Sequence, residues 1–192
     1  MKSTLELPAG YRPILQIDLQ KDKKKMLLIN GIACVIIVAL GVLGQQIVPI
    51  GRMFDIDYGW LNYVFRFVAL LVGIVLYMVL HELVHGVFMR RFSGSKVKYG
   101  FTGMYAFAGS DAYFCKKHYI IIALAPVVVW GVVLTLICSV LSEQWFWVAY
   151  FIQINNLSGA AGDYYVTWKF RSLPADILVQ DSGVAMTVYS AQ

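Results

Sequence analysis

The chain is short of charge and of cysteine. Asp, Glu, Lys and Arg make up 14% of its 192 residues, against about 25% in soluble domains. Hydrophobic residues fill 59%, where about 45–50% is usual. A single soluble domain of this length cannot bury that much apolar surface, so the composition excludes an ordinary soluble protein and points to an integral membrane chain. Of the three cysteines, Cys34, Cys115 and Cys138, two fall inside expected spans and none forms a C-x-x-C pair, so neither a disulfide framework nor a thiolate metal site is indicated. The first 25 residues contain no apolar run, so no cleavable signal peptide is expected. No repeat or low-complexity tract is present. The net charge of +5 is not a nucleic-acid signal, because the basic residues cluster beside hydrophobic stretches.

Four apolar spans are expected, at about Met26–Val48, Leu61–Phe88, Tyr119–Leu141 and Trp145–Phe170. Lys21, Lys23, Lys24 and Lys25 abut the first, Arg66 lies within two turns of the start of the second and snorkels to the interface, and Pro126 kinks the third. Of the 16 Lys and Arg, only Arg52 and Arg66 fall outside the N-terminal, central and C-terminal segments. The positive-inside rule then predicts a cell-membrane protein in the lipid bilayer with both termini cytosolic. Between spans two and three, Val97, Tyr99, Phe101, Gly103, Tyr105 and Phe107 alternate with Lys98, Gly100, Thr102, Met104 and Ala106, a strand pattern. Gly109-Ser110-Asp111 reads as the turn and Ala112–Cys115 as the returning strand. The expected fold is an all-α membrane protein: a four-helix transmembrane bundle with one small cytosolic or membrane-associated β-hairpin. Its segments are a cytosolic N-terminal stretch (1–25), the four-span domain (26–171) and a cytosolic tail (172–192). Ile14–Leu19 reads as a short strand or a surface segment, and the tail as a second small hairpin around Asp181-Ser182-Gly183.

One stretch carries chemistry. His81-Glu82-Leu83-Val84-His85 is H-E-x-x-H at the inner end of the second span. On a helix the two histidines share a face, where neutral imidazoles hold Zn²⁺ and Glu82 serves as general base. Ionisable groups at that depth are costly and are functional by default. A third ligand must lie at the same depth. His81 is about 21 residues from Trp60, or ~31 Å, and Asp163 about 18 from Trp145, or ~27 Å, along helices rising 1.5 Å per residue. Asp163 therefore reads as the third ligand, with a pairing to Lys169 or His118 as the structural alternative. His118, at the mouth of the third span beside two lysines, reads first as an interfacial histidine and second as the other candidate ligand. Asn156 shares a helical face with Asp163 and either orients substrate and an oxyanion or makes an interhelical hydrogen bond. Gly159 and Gly162 read as points of close helix approach.

His81-Glu82-Leu83-Val84-His85-Gly86 together with Asn156-Leu157-Ser158-Gly159-Ala160-Ala161-Gly162-Asp163 resembles a bacterial family of small zincin membrane peptidases, and more distantly the site-2 intramembrane metalloproteases. The resemblance extends to the N-terminal Leu-Pro-x-Gly-Tyr segment and to Val179-Gln180-Asp181-Ser182-Gly183. It implies a zinc peptidase with His81, His85 and Asp163 as ligands, Glu82 as base, and a membrane-protein or peptide substrate. The chain departs from the site-2 pattern in having Asp163-Tyr164 in place of Asp-Gly, no proline between Asn156 and Asp163, and a spacing one residue shorter. The alternative from another functional class is a non-proteolytic metal-binding membrane scaffold or regulator. The 97–115 hairpin is either an edge strand that holds substrate or a plain cap.

Overall fold

The computed structural model describes residues 3–18, 22–103 and 105–191. Lys2 and Lys21 of the topology count and Leu19 and Met104 of the expected strands lie outside the described residues. In chain order the elements are β1 (Tyr11–Ile17), α1 (Lys23–Ile47), a 3₁₀ turn (Ile50–Phe54), α2 (Trp60–Ser93), β2 (Lys98–Phe101), β3 (Ala106–Cys115), α3 (Lys116–Val140), α4 (Glu143–Gly159), α5 (Ala161–Phe170), β4 (Leu178–Asp181) and β5 (Met186–Ala191).

The chain is mostly helical, but the expectation of an all-α protein with one hairpin is corrected. Five antiparallel strands form a single sheet in the order β1-β5-β4-β3-β2. The two expected hairpins are both present, as β2–β3 and β4–β5, and they join through β3–β4. β1 then adds to β5, with Tyr11 opposite Ala191. The β2–β3 turn lies earlier than predicted. It falls at 102–105, where Gly103 takes φ +88, a conformation that costs glycine little. Gly109, Ser110 and Asp111 lie inside β3, where the register with β4 shifts between Ser110 and Tyr113. Residues suited to a turn were used for a bulge, which asks for the same local freedom.

The contacts divide the chain into two compact units. The first comprises Met1–Ile29, Leu80–Pro126 and Gly162–Gln192. It holds the sheet, and its core is built on Phe114, Phe170, Ile177, Val179 and Val188, all fully buried. The second comprises Asn30–Val79 and Val127–Ala161. Its core gathers Met53, Phe146, Trp147 and Ile154, and the Trp147 indole N–H donates to the Val48 carbonyl at 3.0 Å.

Among the described residues, three helices are long and apolar enough to cross a membrane: α1, α2 and α3. They leave large apolar side chains exposed, among them Val35 and Val38, Leu71 and Val75, Val132 and Leu136, as a lipid-facing surface would. The predicted fourth span is instead two helices. α4 has 17 residues and α5 has 10, separated at Ala160. Asn155, Asn156, Ser158 and Gly159 are weak helix formers, and the Ser158 hydroxyl bonds back to the Ile154 carbonyl at 2.8 Å, which loosens the last turn. Gly159 is therefore not a close-approach point: a Cβ there would meet only Asn155, at 3.8 Å. The close approach of α2 to α4 is at Gly73, where a Cβ would lie 2.6 Å from Ile152 Cδ1.

Arg66 does not snorkel. It is fully buried, and its guanidinium donates to the backbone carbonyl of Arg52 at 2.9 Å and to that of Asp55. The 3₁₀ turn offers those carbonyls because a short helix leaves its last acceptors unused.

Candidate metal centre

The site lies wholly within the first unit. His81 and His85 stand four residues apart on α2 and bring their rings to 4.9 Å between centroids. Asp163 comes from the first turn of α5, a position where the helix dipole favours a carboxylate. The break at Ala160 matters here, because it starts a new helix just before the aspartate. One oxygen, Asp163 Oδ2, lies 3.8 Å from His81 Nε2 and 3.8 Å from His85 Nε2. These separations are too long for hydrogen bonds. Four-coordinate zinc with bonds of about 2.0–2.1 Å sets its ligand atoms ~3.3 Å apart, so Asp163 Oδ2 needs to close on each histidine nitrogen by only about half an ångström. Two imidazoles and a carboxylate are also the donor set that suits a catalytic zinc ion.

Glu82 stands beside them. Its carboxylate and the two imidazoles offer atoms within 4.8 Å of one another. It also faces the backbone amide of Ala108 on β3, which is the cross-strand partner of Tyr99 on β2. That strand pair seats on α2 at Gly86, where a Cβ would come within 1.9 Å of the Tyr99 hydroxyl. Gly86 is one turn beyond Glu82 on the same face, so the glycine after the motif lets the sheet lie against the helix at this point.

Two further contacts orient the site. His85 Nδ1 lies 2.9 Å from the Ile122 carbonyl on α3. A carbonyl only accepts, so Nδ1 carries a proton, and the other ring nitrogen, Nε2, faces Asp163. Near the start of the same helix, the Tyr119 hydroxyl donates to Asp181 Oδ2, and the Gly183 amide donates to Asp181 Oδ1 at 2.8 Å. Asp181 feels the charges of His85 and Asp163, and burial pushes its carboxyl above the ordinary carboxylate value. The sequence showed Asp181 only as a turn residue. The one signal that set it apart was its place in Val179-Gln180-Asp181-Ser182-Gly183.

Two candidates are engaged elsewhere. His118 stacks on Phe92, with centroids 4.2 Å apart, and shares a 2.8 Å hydrogen bond with Ser3. Asn156 belongs to the second unit and is fully buried. Its Oδ1 accepts from the Tyr77 hydroxyl at 2.8 Å, and its Nδ2 donates to the Val127 carbonyl and to Gln153 Oε1, each at 3.3 Å.

A helix-borne histidine pair with an adjacent glutamate and a third acidic residue on a later helix is the pattern of a zinc metallopeptidase. The comparison with protein families agrees: a family model described as "putative zincin peptidase" matches residues 74–178. That is more than half of the 192 residues, and the chain belongs to this family. No curated protein matches the chain, and no solved structure does.

Proposed function

We propose that the chain is a zinc-dependent intramembrane metallopeptidase that hydrolyses membrane-embedded or juxtamembrane segments. The observation that carries this reading is Asp163 Oδ2, equidistant from the two histidine Nε2 atoms with Glu82 alongside. His81, His85 and Asp163 are the ligands. Bound there, zinc supplies Lewis-acid activation of water at neutral pH. Glu82 would be the proton carrier there, a general base toward water and a general acid toward the leaving amine. Glu82 and Asp163 are both carboxylates near the same histidines. We assign the base role to Glu82 because it follows His81 directly in the H-E-x-x-H pattern, and the ligand role to Asp163 because of its symmetric approach.

The exposed apolar sides of α1, α2 and α3 support a membrane location, and α4 followed by α5 supplies a broken fourth span. Both termini then lie in the cytosol by the distribution of Lys and Arg. A transmembrane substrate must unwind before its carbonyls can be attacked. β2 is an end strand of the sheet and is docked on α2 at Gly86, which supports a role in holding an extended segment by strand addition. The hydrogen bonds of Asn156 support the interhelical network rather than an oxyanion role.

The test is Glu82→Gln in the full chain. It is expected to lower cleavage of a membrane-anchored reporter by at least 10²-fold while zinc content is unchanged. Cleavage at the wild-type rate would overturn the mechanism.

A further inference from the structure

Pro126 lies inside α3 (Lys116–Val140). In an α-helix the amide of residue i donates to the carbonyl of residue i−4. For position 126 that acceptor is Ile122. Proline has no amide hydrogen, and its ring presses against the i−4 carbonyl and turns it off the helix axis. The Ile122 carbonyl is thus deprived of its helical donor in the helix interior, well away from either end. Ile122 is 1% exposed, and a buried carbonyl without a donor is costly. This is the carbonyl that accepts His85 Nδ1–H at 2.9 Å.

We infer that Pro126 is a positioning residue of the metal centre: by withholding its amide it frees the Ile122 carbonyl to hold His85 in the Nδ1–H tautomer, with Nε2 turned to the ligand position. Two deficits answer each other. The helix lacks a donor at Ile122, and His85 needs an acceptor for the nitrogen that does not face Asp163. A histidine ligand is oriented and made more basic by such a partner, and removing one weakens metal binding by about 10–100-fold. Pro126 touches neither metal nor substrate and acts only through Ile122 and His85. The inference takes the zinc-site reading as its setting, but the tautomer exists in the metal-free protein and is measured there.

The substitution to make is Pro126→Ala, with Pro126→Ser as the second variant. Both restore an amide that competes for the Ile122 carbonyl. Both also remove a helix breaker, for which the intrinsic preference runs toward the variant, so the fold is expected to survive. A helical carbonyl retains a second lone pair, and so the bond to His85 weakens rather than vanishes. The chain has three histidines, which makes ¹⁵N side-chain resonances of histidine-labelled protein in micelles assignable with single His→Gln variants. In the metal-free wild type His85 is expected as Nδ1–H. In Pro126→Ala it becomes a mixture of tautomers. The zinc dissociation constant, measured by competition with a chromophoric chelator, rises about tenfold, while the thermal midpoint does not fall.

If both variants keep His85 as Nδ1–H, the inference is overturned, whatever happens to zinc affinity. If the tautomer shifts and zinc affinity does not change, the positioning role is overturned as well. If the wild type binds no zinc but the tautomer shifts in the variants, the link from proline to histidine stands and the metallopeptidase reading fails.

Discussion

The two units differ in what two of their polar clusters face. In the second unit, one cluster is matched by hydrogen bonds, although Asn62 Oδ1, Arg66 Nε and Trp130 Nε1 are buried without a hydrogen-bond partner. Asn156 accepts from Tyr77 and gives to Val127 and Gln153, and Arg66 places its two terminal nitrogens on backbone carbonyls. In the first unit, ring nitrogens and carboxylates converge on one place. His85 Nε2 lies 3.8 Å from a carboxylate oxygen, His81 Nε2 lies at the same distance from that oxygen, and a second carboxylate stands near both histidines. Such a convergence of possible ligand atoms suits a cation. Both arrangements place polar atoms in an apolar surrounding, but among the described residues it is the cluster in the first unit that could hold a metal ion. Polarity inside a hydrophobic chain is therefore not by itself a sign of chemistry; the convergence of several possible ligand atoms is what separates a candidate site from a brace.

The sharpest way to break this comparison is Asp163→Ala. It removes one acceptor from the convergent set, and zinc affinity is expected to fall by more than the roughly 100-fold that marks loss of an outer-shell partner. Metal titration of the purified full chain measures it, and wild-type affinity would mean that Asp163 is not a ligand. Asn156→Ala attacks the matched network instead. It removes the Asn156 bonds to the Tyr77 hydroxyl and to Gln153 Oε1, at a cost of about 1–3 kcal/mol, read as a lower thermal midpoint in micelles. Zinc stoichiometry stays at the wild-type value, and a loss of zinc would assign Asn156 to the site after all. The smallest effect is expected for Gly73→Ala, at about 1 kcal/mol. The new Cβ meets the terminal methyl of Ile152, which can swing aside, so the midpoint drops slightly and metal affinity does not move.

The motif was legible because a helix with a histidine pair four residues apart has one geometry wherever it occurs. The nearness of Asp163 to His81 was legible through arithmetic along two helical stretches, even though the second of them breaks at Ala160. The sheet was only half visible. Its hairpins are local, but β1 finds its partner on the far side of the chain, and no window of sequence contains both. The turn was misplaced because glycine, serine and aspartate serve a bulge as readily as a reversal. Arg66 was misread because its acceptors are backbone carbonyls, which leave no trace in side-chain identity. The break in the last helical stretch was masked in the same way: Gly159 signals a tight contact and a helix end with the same letter.

The place of β5 in the sheet has a consequence in time. It lies between β4 and β1, and the residue opposite Tyr11 is Ala191. At a synthesis rate of about 5–20 residues per second, β1 leaves the ribosome roughly ten to thirty seconds before the strand that pairs with it exists. Its backbone must stay solvated, or borrow other partners, for that interval. The sheet is a late structure, finished only after the chain between its two ends has been laid down.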